Sequence, residues 1–481
     1  MLSVFQSSYV FSVIKISIFI CLVLIFGFIF SMIAYISGYF IVQYLVDYLF
    51  KWQAVGLGDL LFIETNIAND FVSVGGFYLE KINPKGMKEK LIERGVKKIQ
   101  KLRQVPFPFL NNWYFHELPM EIALAKANSN IKLISDKRLK DPVNYRQYAF
   151  TEMQKLFPKQ NELMWEFHLI DFEEEEGGLL LLKMDHLMSD ATGLINIYAL
   201  LIDNFEALKY PAVSAKKTLW DDIKYYIKIP YYIAYTAYIY AKEIYSNTLF
   251  RDNKPIVPNQ KRQITFFSTR IHDFKVFYNK TKELKVTFND LILILFAKSL
   301  KKYYKDKGFT KNNLSVGVTV GPQTMPSDKS KIVVRNESTC VLVNVKFIDD
   351  IYKEAEMVGR EIRETTRNKD FSRCLLWMIN YMNLVLPRSL SRLIPQIAGT
   401  AIDFMLSNIP GPKENIFIDG CKLLNMLTFP PLGYSKAFCI VATYAGKFAL
   451  EMSLDKTLNI DEKELKTIIE NEIEELISPT K

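Results

Sequence analysis

Residues 179–193 read LLLLKMDHLMSDATG, and this stretch determines the fold class predicted for the chain. Four successive leucines are typical of a strand that is buried on both faces. The segment FHLIDF at 167–172 precedes them across a turn that contains two glycines, so the pattern predicts a strand hairpin that ends at His186. Helical spacing follows over 191–208. A histidine between a buried strand and a helix is well placed to project into a cleft.

From its spacing alone, His186 has two interpretations: a catalytic base, or a polar residue that ends a strand. An imidazole with an ordinary pKa near 6.5 accepts a proton from a hydroxyl at neutral pH if it is held in one tautomer. Asp190, four residues later, can orient the ring or brace the loop. The sequence has no serine or cysteine in a nucleophile elbow and no glycine-rich phosphate loop. A reaction at this site would therefore be a direct group transfer with a histidine base rather than one that passes through a covalent intermediate on the protein.

Composition limits the classes of protein. The chain has 481 residues, of which 49% are hydrophobic, so we expect two domains with an additional lipid-facing part. The net charge of +9 is spread over small groups, which fits an anionic membrane surface or a phosphate-bearing substrate, and no nucleic-acid-binding motif accompanies it. Five cysteines form no CxxC pair and histidines are few. We therefore expect a reduced compartment and no metal site.

Two segments predict contact with lipid. Between Lys15 and Asp47 lie 31 residues without a charged side chain. As a helix they would extend about 46 Å, compared with a hydrocarbon core of about 30 Å. One tilted or extended membrane span is the preferred interpretation, and a shallow hairpin that turns near Gly38 is the alternative. Residues 221–250 are dense in tyrosine, which predicts a helix that either lies at the membrane interface or packs on protein.

Beyond residue 50 the pattern is that of a mixed α/β protein. Further helices are predicted at 86–104, 286–304, 350–367, 372–405 and 461–477. Further strands are predicted at 313–320 and 340–348, with an extended loop at 407–412 and a hairpin over 439–455. The polar segment 250–262 is the predicted boundary. The division is an anchor (1–50), an N-terminal subdomain (51–210), a tyrosine-rich interfacial linker (211–262) and a C-terminal subdomain (263–481).

Six segments, read in order, carry a resemblance to one family. They are MWEFHLIDF (164–172), KMDHLMSDATG (183–193), TFNDLILILFAKSL (287–300), RNESTCVLVNV (335–345), SNIPGP (407–412) and YAGKFALEMSLD (444–455). The chain resembles, over about residues 105–475, the bacterial and plant wax ester synthase/diacylglycerol acyltransferases. These lie within the superfamily of CoA-dependent acyltransferases that carries an HHxxxDG signature. The resemblance implies two α/β subdomains around a central channel.

The resemblance also implies site residues, with departures. His186 corresponds to the catalytic second histidine of the signature and Asp190 to its aspartate, whereas Asp185 stands in place of the first histidine and Ala191 in place of the glycine. Asp185 would raise the pKa of His186 by charge proximity. The expected substrate-binding residues, from the PLW, ND and SNVPGP motifs of the family, are Trp165, Asn289, Asp290, Ser407, Asn408, Pro410 and Gly411. Only the tryptophan of PLW is kept.

The implied activity is transfer of an acyl group from acyl-CoA to a long-chain alcohol or to diacylglycerol, with no metal or bound cofactor. Scattered lysines would meet the CoA phosphates. The expected site of action is the endoplasmic reticulum or a lipid droplet, with the catalytic domain in the cytosol. Self-association or a membrane assembly is left open. His116, His168 and His272 are expected to be surface or packing residues, with His168 facing away from the core.

Two rival functions follow from the same residues. One is an acyltransferase of the same superfamily that uses a different acceptor, such as a sterol or an amine. The other is a non-catalytic family member that serves as a lipid-binding or structural subunit. Asp185 and the divergent PLW motif favour the non-catalytic rival, whereas His186 with Asp190 favours an active enzyme.

Overall fold

The computed structural model describes most of the chain: residues 33–56, 71–109, 112–158, 160–173, 177–208, 219–245, 262–305, 313–321, 332–366, 368–385 and 388–478, with positions 24, 26, 27, 30, 31, 59, 62, 307, 328 and 329. The predicted boundary segment 250–262 lies outside the described residues except for Arg262. Lys15 also lies outside the described residues, as does the first part of the predicted membrane segment.

Sixteen strands occur among the described residues. They are β1 (Gln53–Ala54), β2 (Val72–Leu79), β3 (Gln104–Phe109), β4 (Asn112–Glu117), β5 (Ile131–Ser135), β6 (Trp165–Asp171), β7 (Gly178–Asp185), β8 (Ile264–Ser268), β9 (His272–Asp273), β10 (Asn313–Val320), β11 (Thr339–Lys346), β12 (Phe404–Ile409), β13 (Phe417–Ile418), β14 (Cys421–Phe429), β15 (Ala437–Tyr444) and β16 (Lys447–Asp455). The predicted hairpins that end at His186 and that turn at 445–446 are β6–β7 and β15–β16.

The first sheet has the strand order β13-β14-β2-β7-β6-β5. Strand β7, which carries the leucine run, is buried along its whole length and pairs antiparallel with β2 on one side and β6 on the other. Strands β13 and β14 come from the C-terminal half of the chain, and β14 pairs with β2. The boundary predicted after residue 262 therefore does not separate the two sheets, because residues 417–429 complete the N-terminal one.

The second sheet has the order β11-β10-β12-β15-β16-β8, with β9 beside β16. A small third sheet has the order β1-β4-β3. Residues 404–409 were predicted as helix up to 405 and as loop from 407. They instead form β12, which lies parallel to β10 and β15 in the middle of the second sheet. Local sequence does not reveal this strand, because its hydrogen-bond partners are distant in the chain.

Twelve α-helices occur in the part of the chain that is described. They are α1 (Ile33–Phe50), α2 (Pro84–Lys90), α3 (Met120–Asn130), α4 (Pro142–Met153), α5 (Ala191–Ala199), α6 (Leu219–Tyr245), α7 (Phe274–Glu283), α8 (Phe288–Lys305), α9 (Ile351–Glu364), α10 (Lys369–Val385), α11 (Arg388–Thr400) and α12 (Glu462–Ile477). A π-helical turn continues α2 over Leu91–Val96, and a short 3₁₀ turn follows at Gln100–Arg103. The predicted helix 372–405 is thus two helices followed by a strand.

Helices cover both sheets because each has an apolar face to bury. Helices α8 and α12 pack with the second sheet in one core, in which Leu291 and Ile469 are almost fully buried. Helix α4 contributes Tyr145 and Phe150 to a smaller core on the first sheet. Aspartates cap several of these helices; Asp141 and Asp461, for example, accept hydrogen bonds from the first backbone N–H groups of α4 and α12.

Helices α1 and α6 carry exposed apolar surface. Helix α1 is the one described helix that is long and apolar enough to cross a membrane, and it continues through Gly38 without a turn. Helix α6 buries Tyr225 and Tyr232 against α10, so the prediction of packing on protein is confirmed for that face. Tyr226 and Ile227, on the other side, are largely exposed. Near its carboxyl end, the buried Glu243 accepts hydrogen bonds from Ser315 and Asn344 of the second sheet.

Candidate active site

His186 lies in the turn between β7 and α5, where the hairpin pattern placed it. Its backbone N–H donates to the carbonyl of Phe71 (2.9 Å), and its ring stacks on Phe62 with the ring centres 4.4 Å apart. The side chain lines a cavity of about 170 Å³. Burial lowers the pKa of His186, although the charge of Asp190 and polar contacts with Asn336 and the residue's own backbone favour the protonated form. The imidazole is therefore neutral at pH 7 and can accept a proton.

Asp190 is the N-cap of α5 and is bonded entirely to backbone donors. One carboxylate oxygen accepts hydrogen bonds from the N–H groups of Thr192 (2.9 Å) and Gly193 (3.2 Å). The other accepts from the N–H groups of Glu337 (2.8 Å) and Ser338 (3.0 Å). Four donors on two oxygens hold the carboxylate in place. Among the described residues, the groups that neutralise this carboxylate by hydrogen bonding are therefore backbone amides.

The segment at residues 333–338, which we call the strap, joins the second sheet to the histidine loop. Besides the two bonds to Asp190, it accepts hydrogen bonds at the carbonyl of Val333 from Asn196 and at the carbonyl of Arg335 from Ser189. The side-chain amide of Asn336 donates to the carbonyl of His186 (2.7 Å). The strap therefore makes four hydrogen bonds to residues 186–190, which carry His186, and a fifth to α5. Residues 335–338 of the strap belong to the motif RNESTCVLVNV, but no site role was predicted for them.

Asp185, which replaces the first histidine of the signature, has a local structural role. It is buried, and its carboxylate accepts a hydrogen bond from the backbone N–H of Leu187 (2.9 Å), which shapes the turn around His186. We expected this charge to raise the pKa of His186. The pKa of His186 is instead lowered: burial is the largest cause, and the carboxylate whose charge opposes it is that of Asp190.

The cavity brings together more than half of the predicted site residues. Those that line it are His186, Asp190, Ser407, Asn408 and Pro410. Its other walls are mainly apolar side chains, such as Phe429 and Leu194, and the backbone of Gly75 and Gly76. A Cβ on Gly76 would lie 2.3 Å from the Leu181 side chain, so the closeness of β2 and β7 requires glycine there. The lining suits an apolar ligand that carries one reactive polar group.

Three of the remaining predicted residues lie behind the cavity. Asn289 accepts a hydrogen bond from the amide of Asn408 (2.6 Å) and so orients a residue that lines the cavity. Asp290 is buried and accepts from the N–H of Thr287 (2.8 Å), which caps α8. The N–H of Gly411 donates to the Thr443 hydroxyl (2.9 Å). These three residues are therefore placed to support the residues that line the cavity, and they do not line it themselves.

Trp165 does not reach the cavity. It has no exposed surface, and its indole N–H donates to the carbonyl of Leu102 (3.0 Å) in the main core. The expectation that it binds substrate is wrong for this structure, because a motif match identifies a position without its direction on the strand. Residues that the prediction missed, Ser338 and Thr428, do line the cavity.

His168 is also buried, which corrects the prediction that it faces away from the core. Its Nδ1 lies 2.6 Å from the hydroxyl of Tyr148 and its Nε2 lies 3.3 Å from a carboxylate oxygen of Glu166. Burial raises the pKa of Glu166, but bonds from His168 and Lys132 and the charge of Lys183 outweigh it and lower the pKa to about 2. Lys132 and Lys183 already balance the negative charge of Glu166. The residues around His168 therefore form an internal network of ion pairs.

Comparisons with solved structures find the same overall fold in other proteins. The starter condensation domain of rhizomide synthetase RzmA, in a structure with C8-CoA and Leu-SNAC, is 10% identical with a TM-score of 0.59, over 89% of this chain and 94% of that one. The wax ester synthase/diacylglycerol acyltransferase from Marinobacter aquaeolei VT8 is 13% identical with a TM-score of 0.56, over 88% of this chain and 98% of that one. The chain therefore has the mixed α/β fold that these two structures share, which agrees with the fold implied by the resemblance.

Sequence comparisons find similar proteins in the family that the six segments resemble. Residues 343–477 match the family model described as the WS/DGAT C-terminal domain. O-acyltransferase WSD of Acinetobacter baylyi is 22% identical over 397 residues, which cover 76% of this chain and 84% of that protein. The chain is therefore similar to the wax ester synthase/diacylglycerol acyltransferases: residues 343–477 carry their C-terminal domain, and the similarity to an O-acyltransferase extends over most of the chain. The resemblance seen in the six sequence segments is confirmed.

Proposed function

We propose that this protein transfers a fatty acyl group from acyl-CoA to the hydroxyl of a lipid alcohol, with His186 as general base. The observation that carries the proposal is the state of His186: its pKa is lowered by burial, and it lines a largely apolar cavity. A neutral imidazole in such a cavity is suited to remove a proton from an alcohol whose chain is apolar.

Each step assigns a role to the chain's own residues. The neutral imidazole of His186 takes the proton of the acceptor hydroxyl, and the oxygen forms a bond to the thioester carbonyl carbon. The carbon–sulfur bond then breaks, and the imidazolium returns the proton to the CoA thiolate. Asp190 and the strap are positioning elements, because their hydrogen bonds hold the loop that carries His186. No covalent acyl-enzyme is required.

The acceptor class is tested with the purified full-length protein. Radiolabelled palmitoyl-CoA is offered with hexadecanol or with dioleoylglycerol, and the lipids are separated by thin-layer chromatography. We expect ester from at least one of these acceptors, because the cavity walls are largely apolar. If acylated product formed only when a sterol was offered, as an ester, or an amine, as an amide, that acceptor would replace the proposed one. No acylated product from any acceptor, with CoA still bound, would favour the non-catalytic rival.

The second part of the proposal concerns the membrane. Helix α1 would hold the chain at the endoplasmic reticulum or a lipid droplet, with the catalytic part on the cytosolic side, where acyl-CoA is available. The exposed face of α6, which presents Tyr226, Ile227 and Tyr231, would lie in the headgroup layer. Tyrosine favours that layer because its ring is apolar and its hydroxyl stays hydrated. Acceptor and product, both lipids, would then enter and leave through the bilayer.

This contact predicts a difference between two assays. The double variant Tyr226→Glu/Ile227→Glu should lose at least about tenfold in transfer to diacylglycerol held in vesicles, since each buried side chain contributes about 1.5–3 kcal/mol. Transfer to a short, water-soluble alcohol should be unchanged. Val143→Glu, which places a charge on an exposed apolar residue of α4, is the matched control. Equal loss in both assays would exclude a membrane role for this face.

A further inference from the structure

A second and larger cavity, of about 1060 Å³, lies beside the histidine loop and has the strap as one wall. Five basic side chains line it against two acidic ones: Arg94, Lys98, Lys101, Lys329 and Arg335 against Asp59 and Asp203. Its volume is at the upper end of small-molecule sites, which span about 300–1,000 Å³. The excess of positive charge sets it apart from the apolar cavity at His186.

The charges in this cavity are not all neutralised. Lys101 interacts with the buried Asp59, and Arg335 forms an ion pair with Glu337. Arg94, Lys98 and Lys329 form no ion pair with a described carboxylate. Unpaired cations that line a concave surface bind anions, and guanidinium groups match phosphate geometry best.

Two of these cations are held close together. A guanidinium N–H of Arg94 (3.5 Å) and the ammonium of Lys329 (3.4 Å) both donate to the carbonyl oxygen of Leu200, at the carboxyl end of α5. Burial lowers the pKa of Lys329, and repulsion from Arg94 lowers it further. The ammonium of Lys329 also donates to the carbonyl of Ile202, and the charge of Asp203 acts against this repulsion. One carboxylate beside two cations leaves a local excess of positive charge at which an anion can bind.

The cavity is connected to the reactive histidine through Asn336. This residue lines the cavity, and its amide donates both to the carbonyl of His186 (2.7 Å) and to the carboxylate of Asp59 (2.9 Å). A ligand whose charged end lies near Arg94 and whose other end extends along the strap would approach His186. Acyl-CoA has this form, since its phosphates lie at one end and its thioester at the other.

We propose that this basic cavity binds the phosphorylated nucleotide part of acyl-CoA, with Arg94 and Lys329 as its principal phosphate ligands. The inference rests on the proposed function for the identity of the anion. It goes further in separating the two substrates: the donor nucleotide occupies the basic cavity, and the acceptor occupies the apolar cavity beside Ser407 and Asn408.

The test uses the full-length Arg94→Gln variant and the Arg94→Gln/Lys329→Gln double variant. Lys301→Gln, which removes a surface lysine on α8 that pairs with Asp349, is the matched control for lost charge. KM and kcat are measured with palmitoyl-CoA and with the palmitoyl thioester of N-acetylcysteamine, which has no phosphate. Binding of CoA itself is measured by titration calorimetry, so that one readout does not depend on turnover.

We expect KM for palmitoyl-CoA and Kd for CoA to rise at least about tenfold in the double variant, because hydrogen bonds between charged groups are lost. We expect kcat to change little and kcat/KM for the phosphate-free thioester to stay the same. Equal loss with both thioesters, or an unchanged Kd for CoA, would overturn the assignment and leave the proposed function intact.

Two further outcomes separate the inference from the function. If the wild type transfers no acyl group but binds CoA, and the double variant binds it more weakly, the cavity assignment holds and the proposed function fails. If the double variant loses binding to phosphatidylserine vesicles and keeps its affinity for CoA, the cavity binds a lipid headgroup and the inference is overturned.

Discussion

Replacement of His186 by alanine is expected to lower kcat for acyl transfer by roughly 10²–10⁴-fold, the usual contribution of a positioned general base. KM for acyl-CoA should change much less, because the basic cavity does not include this side chain. His116→Ala removes a half-buried histidine in β4 that lines neither cavity and is the control. A His186→Ala protein that folds and keeps full activity would exclude the proposed mechanism.

The pH dependence of the wild type gives a second measure of the same group. A general base must be neutral, and burial lowers the pKa of His186 below its ordinary value of 6.5. The acid limb of kcat/KM should therefore lie below pH 6.5, with activity lost as the pH falls through the pKa of the folded protein. An acid limb above pH 6.5 would mean that a different group, or a protonated His186, controls the rate.

The Asp190→Asn substitution is expected to produce the second largest effect. An asparagine keeps the size of the side chain but replaces one of its two accepting oxygens with an amide group that donates. Two backbone N–H groups, either those of Thr192 and Gly193 or those of Glu337 and Ser338, would then face a donor. Since an unpaired buried donor costs about 1–3 kcal/mol, we expect a clear fall in Tm together with at least tenfold lower kcat.

The pH profile distinguishes positioning by Asp190 from a purely structural role. The charge of Asp190 favours protonated His186, so its removal should lower the pKa of His186 further and move the acid limb of kcat/KM to lower pH. Ser189→Ala, which removes the hydroxyl bonded to the Arg335 carbonyl, weakens the strap without changing charge and should leave the limb in place. If the Asp190→Asn protein is less stable but the acid limb of its kcat/KM profile does not move, Asp190 has a structural role only.

Elements defined by local pattern could be predicted from the sequence. The hairpin that ends at His186, the buried helix α8 and the hairpin that turns at 445–446 each have a strong period and clear turn residues. The pattern also gives the positions of His186 and Asp190, whereas the choice of His186 as a catalytic base depends on the resemblance to the acyltransferase family. The two residues occupy the end of the strand and the start of the helix that the pattern predicts.

Features that depend on distant pairing could not be predicted. Strand β14 joins the first sheet only because β2, more than 300 residues earlier, offers a free edge. The strap shows neither period 2 nor period 3.6, and its function depends on hydrogen bonds to residues about 150 positions away. Side-chain direction was a further difficulty: Trp165 and His168 were correctly placed on a strand, but both were assigned to the wrong surroundings.

The amide of Asn336, which is bonded to the carbonyl of His186 and to Asp59, also belongs to an Asn-Glu-Ser sequence at 336–338, a formal acceptor for N-linked glycan. A sugar on that nitrogen would displace both hydrogen bonds and occupy the wall between the two cavities. A chain that carries a glycan at Asn336 would therefore lose the contacts that join the strap to His186 and Asp59, and we expect it to be inactive in the proposed acyl transfer. Asn279, which begins a second acceptor sequence at 279–281, is exposed. A glycan there would show that the catalytic part lies on the lumenal side of the membrane, opposite to the proposed topology.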